Sequence, residues 1–470
     1  MATARAAART RLRRQRLLAG PVGKVLFTLS WPLSLGLFSV IAFNVVDTLY
    51  IGQLGPDPLA AIGYCFPVIF CMSAVAIGMG NGATSVVSRS LGRGDTARAC
   101  VRTTDTIIYV TILSLLMIGG MFLIDDMVFR WLGTPPDLMP YIHQYMNVWF
   151  VGLPLLMLPI VLNGLIRATG DAIFPSSMMM LAAGINAVIS PFLVFGLWGA
   201  PDLGMAGAAW STLIARGILV AMCLGYLWRE NLVSLLDHDF SVFMGSVSEI
   251  TRFGAPAFLA QVVAPLSGAV AVRLLSASGP DAVAAYTVAT RIESLMLVPL
   301  FSLGAGIGPF TGQNVGAGNT ARLKTAQTRA LTFSLICGVV GAVFMISFGG
   351  TIAGFFSTDP EIIDLADRFL TLIALGLWGA GFLYVAVGVA NPLGYPNLGM
   401  ALSILRHLVL FTGGSILLVV GLGFDPTRIV LVIGPVAYGV AGITAALVTR
   451  WLLVRTASAT GHSEALPTRV

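Results

Sequence analysis

Twelve apolar runs of helical length follow one another along the chain, separated by short polar segments, with no intervening stretch long enough to fold as a soluble domain. A helix of about 20 apolar residues crosses the hydrocarbon core of a bilayer. The pattern therefore predicts an all-α polytopic membrane protein of twelve transmembrane helices. The spans fall near 25–50, 59–86, 101–124, 138–164, 173–197 and 204–228, then near 253–275, 283–311, 327–349, 362–390, 397–422 and 431–454. The first carries Pro32 near its start and one carboxylate, Asp47, near its end. A carboxylate inside a span costs about 3 kcal/mol or more at mid-membrane, so it is expected to face a cavity and to serve function.

The pattern repeats. A slide of 224 positions sets Pro32 on Pro256, Gly55-Pro56-Asp57 on Gly279-Pro280-Asp281, and Gly92 and Gly94 on Gly316 and Gly318. The same slide sets Arg98 on Arg322, Gly152 on Gly376 and Gly170 on Gly394. One register held across four spans implies a duplicated six-helix unit. Six is even, so both copies start on the same membrane face, as in transporters built from parallel repeats around a central site. The slide also sets Asp47 on Ala271, and Arg291 and Glu293 on Pro67 and Ile69. Those three charges are therefore not requirements of the shared packing unit.

Composition agrees: of 470 residues, 57% are hydrophobic and 10% charged, which excludes an ordinary soluble enzyme. The net charge of +6 would suggest nucleic acid in a soluble chain, but here the basic residues map topology. Arg5, Arg9, Arg11, Arg13, Arg14, Arg16 and Lys24 precede the first span, and Arg89, Arg93, Arg98 and Arg102, then Arg322, Lys324 and Arg329, sit in later loops of the same phase. Alternate loops hold Asp57, Asp125, Asp126, Asp202, Asp359 and Asp425. By the positive-inside rule both termini are cytoplasmic in a multi-pass cell-membrane protein. The bilayer is the expected partner, with no nucleic acid, and the chain is read as a monomer.

The expected organisation is a basic cytoplasmic tail (1–24), a first bundle (25–228), a cytoplasmic linker that is partly an interfacial helix (229–252), a second bundle (253–455) and a disordered tail (456–470). No phosphate loop is present and no catalytic Ser, His and Asp set stands out, so neither a cofactor nor an enzyme is expected. None of the four histidines is spaced to converge with another, and none is read as a metal ligand.

The segments VDTLYIGQLGPDPLAAIG, GNGATSVVSRSLGRGD, RIESLMLVPLFSLGAGIGPFTGQNVGAGN and GMAGAAWST, in this order and spacing, resemble the multidrug and toxic compound extrusion (MATE) family of prokaryotic type. The resemblance spans about 25–455. It implies two pseudo-symmetric six-helix bundles that export cationic or amphipathic small molecules by alternating access, in exchange for H⁺ or Na⁺. It places Asp47 at the family's first-helix aspartate, Pro32 at its helix-hinge proline, and Asn186 and Thr212 at polar cation-site positions. The fifth-helix pattern of Asn, three residues, then Asp-Pro reads NAVISP here, so Ser190 replaces a second carboxylate. A seventh-helix glutamate found in another branch has no counterpart in APAFLAQVVAPL.

A single carboxylate with neutral oxygens favours H⁺ as the coupling ion, because an apolar bundle disfavours the charged form and lets it exchange protons as access changes. Na⁺ held by Asp47, Asn186 and Thr212 is the alternative. Asn44, Asn163, Arg291 and Glu293 are further cavity candidates, against the plainer reading that the asparagines bond neighbouring helices and the charges anchor the fold. Arg291 and Glu293, two apart, point different ways and are expected to find separate partners. Arg406, His407 and Arg216 are read as satisfied by carbonyls or by snorkelling. A lipid-linked precursor flippase of the same superfamily is the alternative function, ahead of a membrane-embedded enzyme or a channel.

Overall fold

A computed structural model describes residues 2–234, 239–357 and 359–463, and the described residues form helices joined by short connections, with no strand among them. The helices are α1 (Ala2–Ala19), α2 (Val22–Gly52), α3 (Pro56–Arg93), α4 (Thr96–Trp131), α5 (Met139–Val151), α6 (Leu153–Ala168), α7 (Ile173–Phe195) and α8 (Gly204–Arg229). There follow α9 (Phe240–Leu275), α10 (Pro280–Gly316), α11 (Ala321–Ala353), α12 (Pro360–Ala374), α13 (Leu377–Leu393), α14 (Pro396–Ile404), α15 (Gly414–Ile416) and α16 (Pro426–Ser463). Ten helical stretches are long and apolar enough to cross a membrane, and two bent pairs bring the total to twelve spans.

The duplication is written in the backbone. Glycines with positive φ occur in register at Gly55 and Gly279 (131° and 111°), Gly94 and Gly318 (83° and 74°), and Gly170 and Gly394 (93° and 99°). Side-chain-bearing residues avoid that region, so these six turns need glycine. The fourth and tenth spans, expected as single helices, are each broken. The first bends by 52° between α5 and α6, and the second by 49° between α12 and α13. Gly152 and Gly376 stand at the two breaks. A Cβ on Gly152 would meet the Leu213 side chain at 2.3 Å, and one on Gly376 would meet the Pro435 Cα at 2.8 Å. The bend thus brings each glycine close against a neighbouring span, at Gly376 against backbone and at Gly152 against the end of the Leu213 side chain.

Packing divides the chain into two units, and the division does not fall at the linker. One unit comprises the residues up to Arg14 with Pro32–Phe258, and the other comprises Gln15–Trp31 with the residues from Leu259 onward. The expected bundle boundaries at 25 and 253 are corrected accordingly: α2 and α9 are each unbroken helices whose two ends pack in different units. The cause is a pair of matched close approaches. A Cβ on Gly82 of α3 would lie 2.5 Å from the Ile250 carbonyl oxygen and 3.0 Å from the Gly254 nitrogen, both in α9. A Cβ on Gly306 of α10 would lie 2.5 Å from Ser30 Oγ in α2. These positions are themselves 224 apart.

The first unit's core is built from large buried side chains such as Met72, Phe129, Phe150 and Leu156, the second's from Phe369, Leu370 and Met345. Leu116, Leu123, Val340 and Val420 instead lie exposed on the outside, as suits helices that face lipid.

Two terminal expectations are corrected. The first residues form α1, which is docked rather than free: Arg9 Nε and Arg13 Nη1 pair with Glu230 at 3.1 and 3.4 Å, Arg13 Nη2 with Asp171 at 2.9 Å, and Arg14 donates to the Gly92 carbonyl. Glu230 is only 6% exposed, and a buried carboxylate requires such counter-charge. At the other end α16 runs to Ser463 instead of stopping at 455, and the rest of the expected tail lies outside the described residues. The linker's helical part is the start of α9 itself, not a separate interfacial helix, and residues 235–238 lie outside the described residues.

Candidate functional site

In the first unit α2, α7 and α8 bring together four predicted residues. Asn186 and Ser190 are one turn apart on α7 and so share a face. Ser190 Oγ donates to Asp47 Oδ1 at 3.3 Å, and Asp47 is 6% exposed. Asn186 Nδ2 donates to Thr212 Oγ1 at 2.9 Å and to Ser211 Oγ at 3.2 Å. Both hydroxyls hand their own protons to the Ala208 carbonyl, at 3.1 and 2.8 Å, which fixes their lone pairs toward the amide. Asn186 Oδ1 remains buried without a hydrogen-bond partner among the described residues. The site is therefore one carboxylate, one open amide oxygen and hydroxyls, a set that suits a proton or an oxygen-loving monovalent cation. Ser211 was missed from the sequence, although it directly precedes Thr212.

The walls are held by backbone. Tyr50, one turn after Asp47, donates to the Ala187 carbonyl at 3.3 Å, tying α2 to α7. Nearer the other end, a Cβ on Gly36 would lie 3.3 Å from the Ser176 Cα. Pro32 sits inside α2 without interrupting it, at the residue where the helix passes from one packing unit to the other. Its missing N–H leaves a carbonyl free one turn earlier.

Asn44 and Asn163 do not join this set. Asn44 is exposed while Asp47, three residues on, is buried. Asn163 Oδ1 instead accepts a weak bond from Cys223 Sγ of α8 at 3.9 Å, the plainer interhelical reading. Arg216 donates to the Leu156 carbonyl at 3.4 Å and lies over the Trp149 ring.

The second unit holds a different polar cluster. Tyr438 Oη of α16 donates to Glu293 Oε1 of α10 at 2.6 Å, while Arg291 is exposed, so the two charges do find separate surroundings. Arg406 was expected to reach carbonyls or snorkel. Instead its guanidinium lies 3.4 Å from the Tyr438 ring centroid and bonds His407 Nε2. Because arginine can only donate, His407 Nε2 accepts, which leaves the Nδ1 proton to the Ser403 carbonyl at 3.1 Å. Both residues lie in a π-helical stretch, Leu405–Gly413. Such stretches are rare and often mark functional sites.

One further cluster was not seen in the sequence. The structure sets His143 of α5 beside Asp125 and Asp126 of α4, so a histidine does converge with two carboxylates. The signal was invisible in spacing because the loop and the α4–α5 pairing create it.

The twelve-span architecture and this cluster define a polytopic transporter assembled from two like units. The MatE family profile matches residues 32–192 and again 256–413, its two copies starting at the prolines that the internal repeat aligns. The chain belongs to the MATE family. It is 33% identical to the FAD transporter of Shewanella oneidensis over 84% of this chain and 88% of that protein. It is also 26% identical to the multidrug export protein MepA of Staphylococcus haemolyticus, over 77% of this chain and 80% of that one. The crystal structure of a mutant of the Vibrio cholerae MATE transporter VcmN superposes with a TM-score of 0.87 at 26% identity, covering 92% of this chain and 97% of that chain.

Proposed function

We propose that the chain is a proton-driven exporter of amphipathic small molecules in which Asp47 carries the coupling proton. The observation that supports this reading most is the buried Asp47, hydrogen-bonded to one neutral hydroxyl, with a serine where a second carboxylate would strengthen a Na⁺ site. When the site opens to the acidic side, Asp47 takes up a proton and needs no counter-charge in the apolar bundle. When it opens to the cytoplasm, the proton leaves and the charge returns. Ser190 orients the carboxylate, with the bonded pair Asn186 and Thr212 one turn away to accept or donate as its state changes. The shift in α2 would pass along the helix toward Pro32, whose free carbonyl lowers the cost of bending.

For substrate class, the relatives named as a transporter of FAD and as a multidrug export protein support a small-molecule cargo. The test is uptake into inside-out vesicles of a panel containing FAD and cationic dyes, with pH and Na⁺ gradients imposed separately. The proposal expects transport under the pH gradient and its loss in Asp47→Asn. Transport driven by Na⁺ alone would overturn the choice of ion. Orientation follows the charge asymmetry: cysteines placed at Asp57, Asp202 and Asp359 should label from outside intact cells, and cysteines at Arg93 and Lys324 should not.

A further inference from the structure

We infer that Asp125, Asp126 and His143 form a binding site for a divalent metal ion of the zinc type, clamping α4 to α5 within the first unit. One nitrogen and two carboxylate oxygens, one from each residue, all lie within 4.8 Å of one another. His143 Nε2 is 3.0 Å from Asp126 Oδ1 and 3.9 Å from Asp125 Oδ2. Zinc binds histidine nitrogen and carboxylate oxygen at about 2.0 Å in a tetrahedron, so its ligand atoms stand about 3.3 Å apart. The two distances bracket that edge.

The direction of the contact argues the same way. His143 Nε2 is shut off from solvent, yet at 3.0 Å from a carboxylate oxygen it makes no directed hydrogen bond. The polar atoms nearest to this unbonded nitrogen are the two carboxylate oxygens, so all three potential ligand atoms face one small volume. The neighbours leave the triad available. Arg130 reaches the other oxygen of Asp126, Oδ2, at 3.8 Å and is itself largely exposed. The Asp126 backbone N–H bonds Asp125 Oδ1, which fixes that carboxylate with Oδ2 toward the imidazole.

Placement adds a further reason. Asp125 and Asp126 stand in the last two turns of α4 and His143 in the second turn of α5. Carboxylates are disfavoured near the negative end of a helix dipole, as a protonated histidine is near the positive end. A bound cation relieves the carboxylates and keeps the imidazole neutral. Three protein ligands leave one position for water or another donor, and the charge asymmetry sets this face outside the cell.

The test uses the full chain in detergent with any affinity tag removed, titrated with ZnCl₂, and with CoCl₂ as a spectroscopic probe of the ligands. One Zn²⁺ per chain should bind, with at least tenfold weaker binding in Asp125→Asn and in His143→Gln. Arg130→Gln should bind as tightly or more so. Cobalt bound to the unaltered chain should show the visible absorption of a four- or five-coordinate site that excess Zn²⁺ abolishes, and Zn²⁺ should protect His143 from imidazole-modifying reagents. This readout needs no variant to fold. Non-saturable binding, unaltered affinity in both variants, or modification of His143 unaffected by Zn²⁺ would overturn the proposal.

Discussion

The two units share a backbone repeat down to their positive-φ glycines, yet the carboxylates Asp47 and Glu293 are held in opposite ways. Asp47 has one hydroxyl donor and neutral surroundings, with an open amide oxygen nearby on the same α7 face. Glu293 is fixed by a short bond from Tyr438, whose ring in turn carries Arg406, itself bonded to His407. A carboxylate held in a network with Tyr438, Arg406 and His407 cannot move without disturbing several partners. One left with a single neutral partner can change state at small structural cost. On the proposed function, this difference places the coupling chemistry in the first unit and an anchoring role in the second. Both acids interrupt the repeat, so the shared scaffold needs neither of them.

The largest expected break in this comparison is Asp47→Asn, which should reduce the initial rate of pH-driven export at least tenfold while thermal unfolding and membrane yield stay unchanged. Glu293→Gln should do the reverse, preserving export per folded molecule while lowering thermal stability and yield. If both variants fold normally and both abolish export, the two carboxylates act alike and the assignment fails.

A matched pair at the helix breaks comes next. Gly152→Leu and Gly376→Leu should each cost about 1–3 kcal/mol through overpacking against Leu213 and Pro435. Unfolding curves that shift for one variant and not the other would show that the two bends are not equivalent. Tyr438→Phe removes the donor to Glu293 and should destabilise by about 1–3 kcal/mol, read as a lower unfolding temperature with transport per molecule retained.

The smallest effect is at Ser190. Ser190→Ala should slow export only a few-fold, because Asp47 keeps its burial, whereas Ser190→Asp should introduce Na⁺ dependence by adding a second carboxylate. A Ser190→Asp variant as indifferent to Na⁺ as the native chain would remove the serine from ion choice.

Much of this was legible in the sequence because helix spacing and internal repetition are local properties. The twelve spans, the register of 224 and the set Asp47, Asn186, Ser190 and Thr212 needed only span position and resemblance. What escaped depends on how helices meet. Gly152 and Gly376 were visible as a matched pair, but the break they permit follows from the side chain and backbone pressed against them. Arg406 was expected at carbonyls because nothing along the chain tells that Tyr438 stands beside it. The docking of α1 was hidden because its partners, Asp171 and Glu230, come from distant helix ends. Asn44 and Asp47, three apart on α2, differ sharply in burial, which spacing alone does not tell.

The central claim, that Asp47 exchanges a proton for substrate, is tested most directly by proton movement itself. Proteoliposomes loaded with a pH-sensitive dye should report a proton flux on addition of transported substrate, without any Na⁺ gradient. The native chain and Glu293→Gln should give that flux, and Asp47→Asn should give none while still binding substrate. A substrate-dependent proton flux of native size from Asp47→Asn would contradict the account.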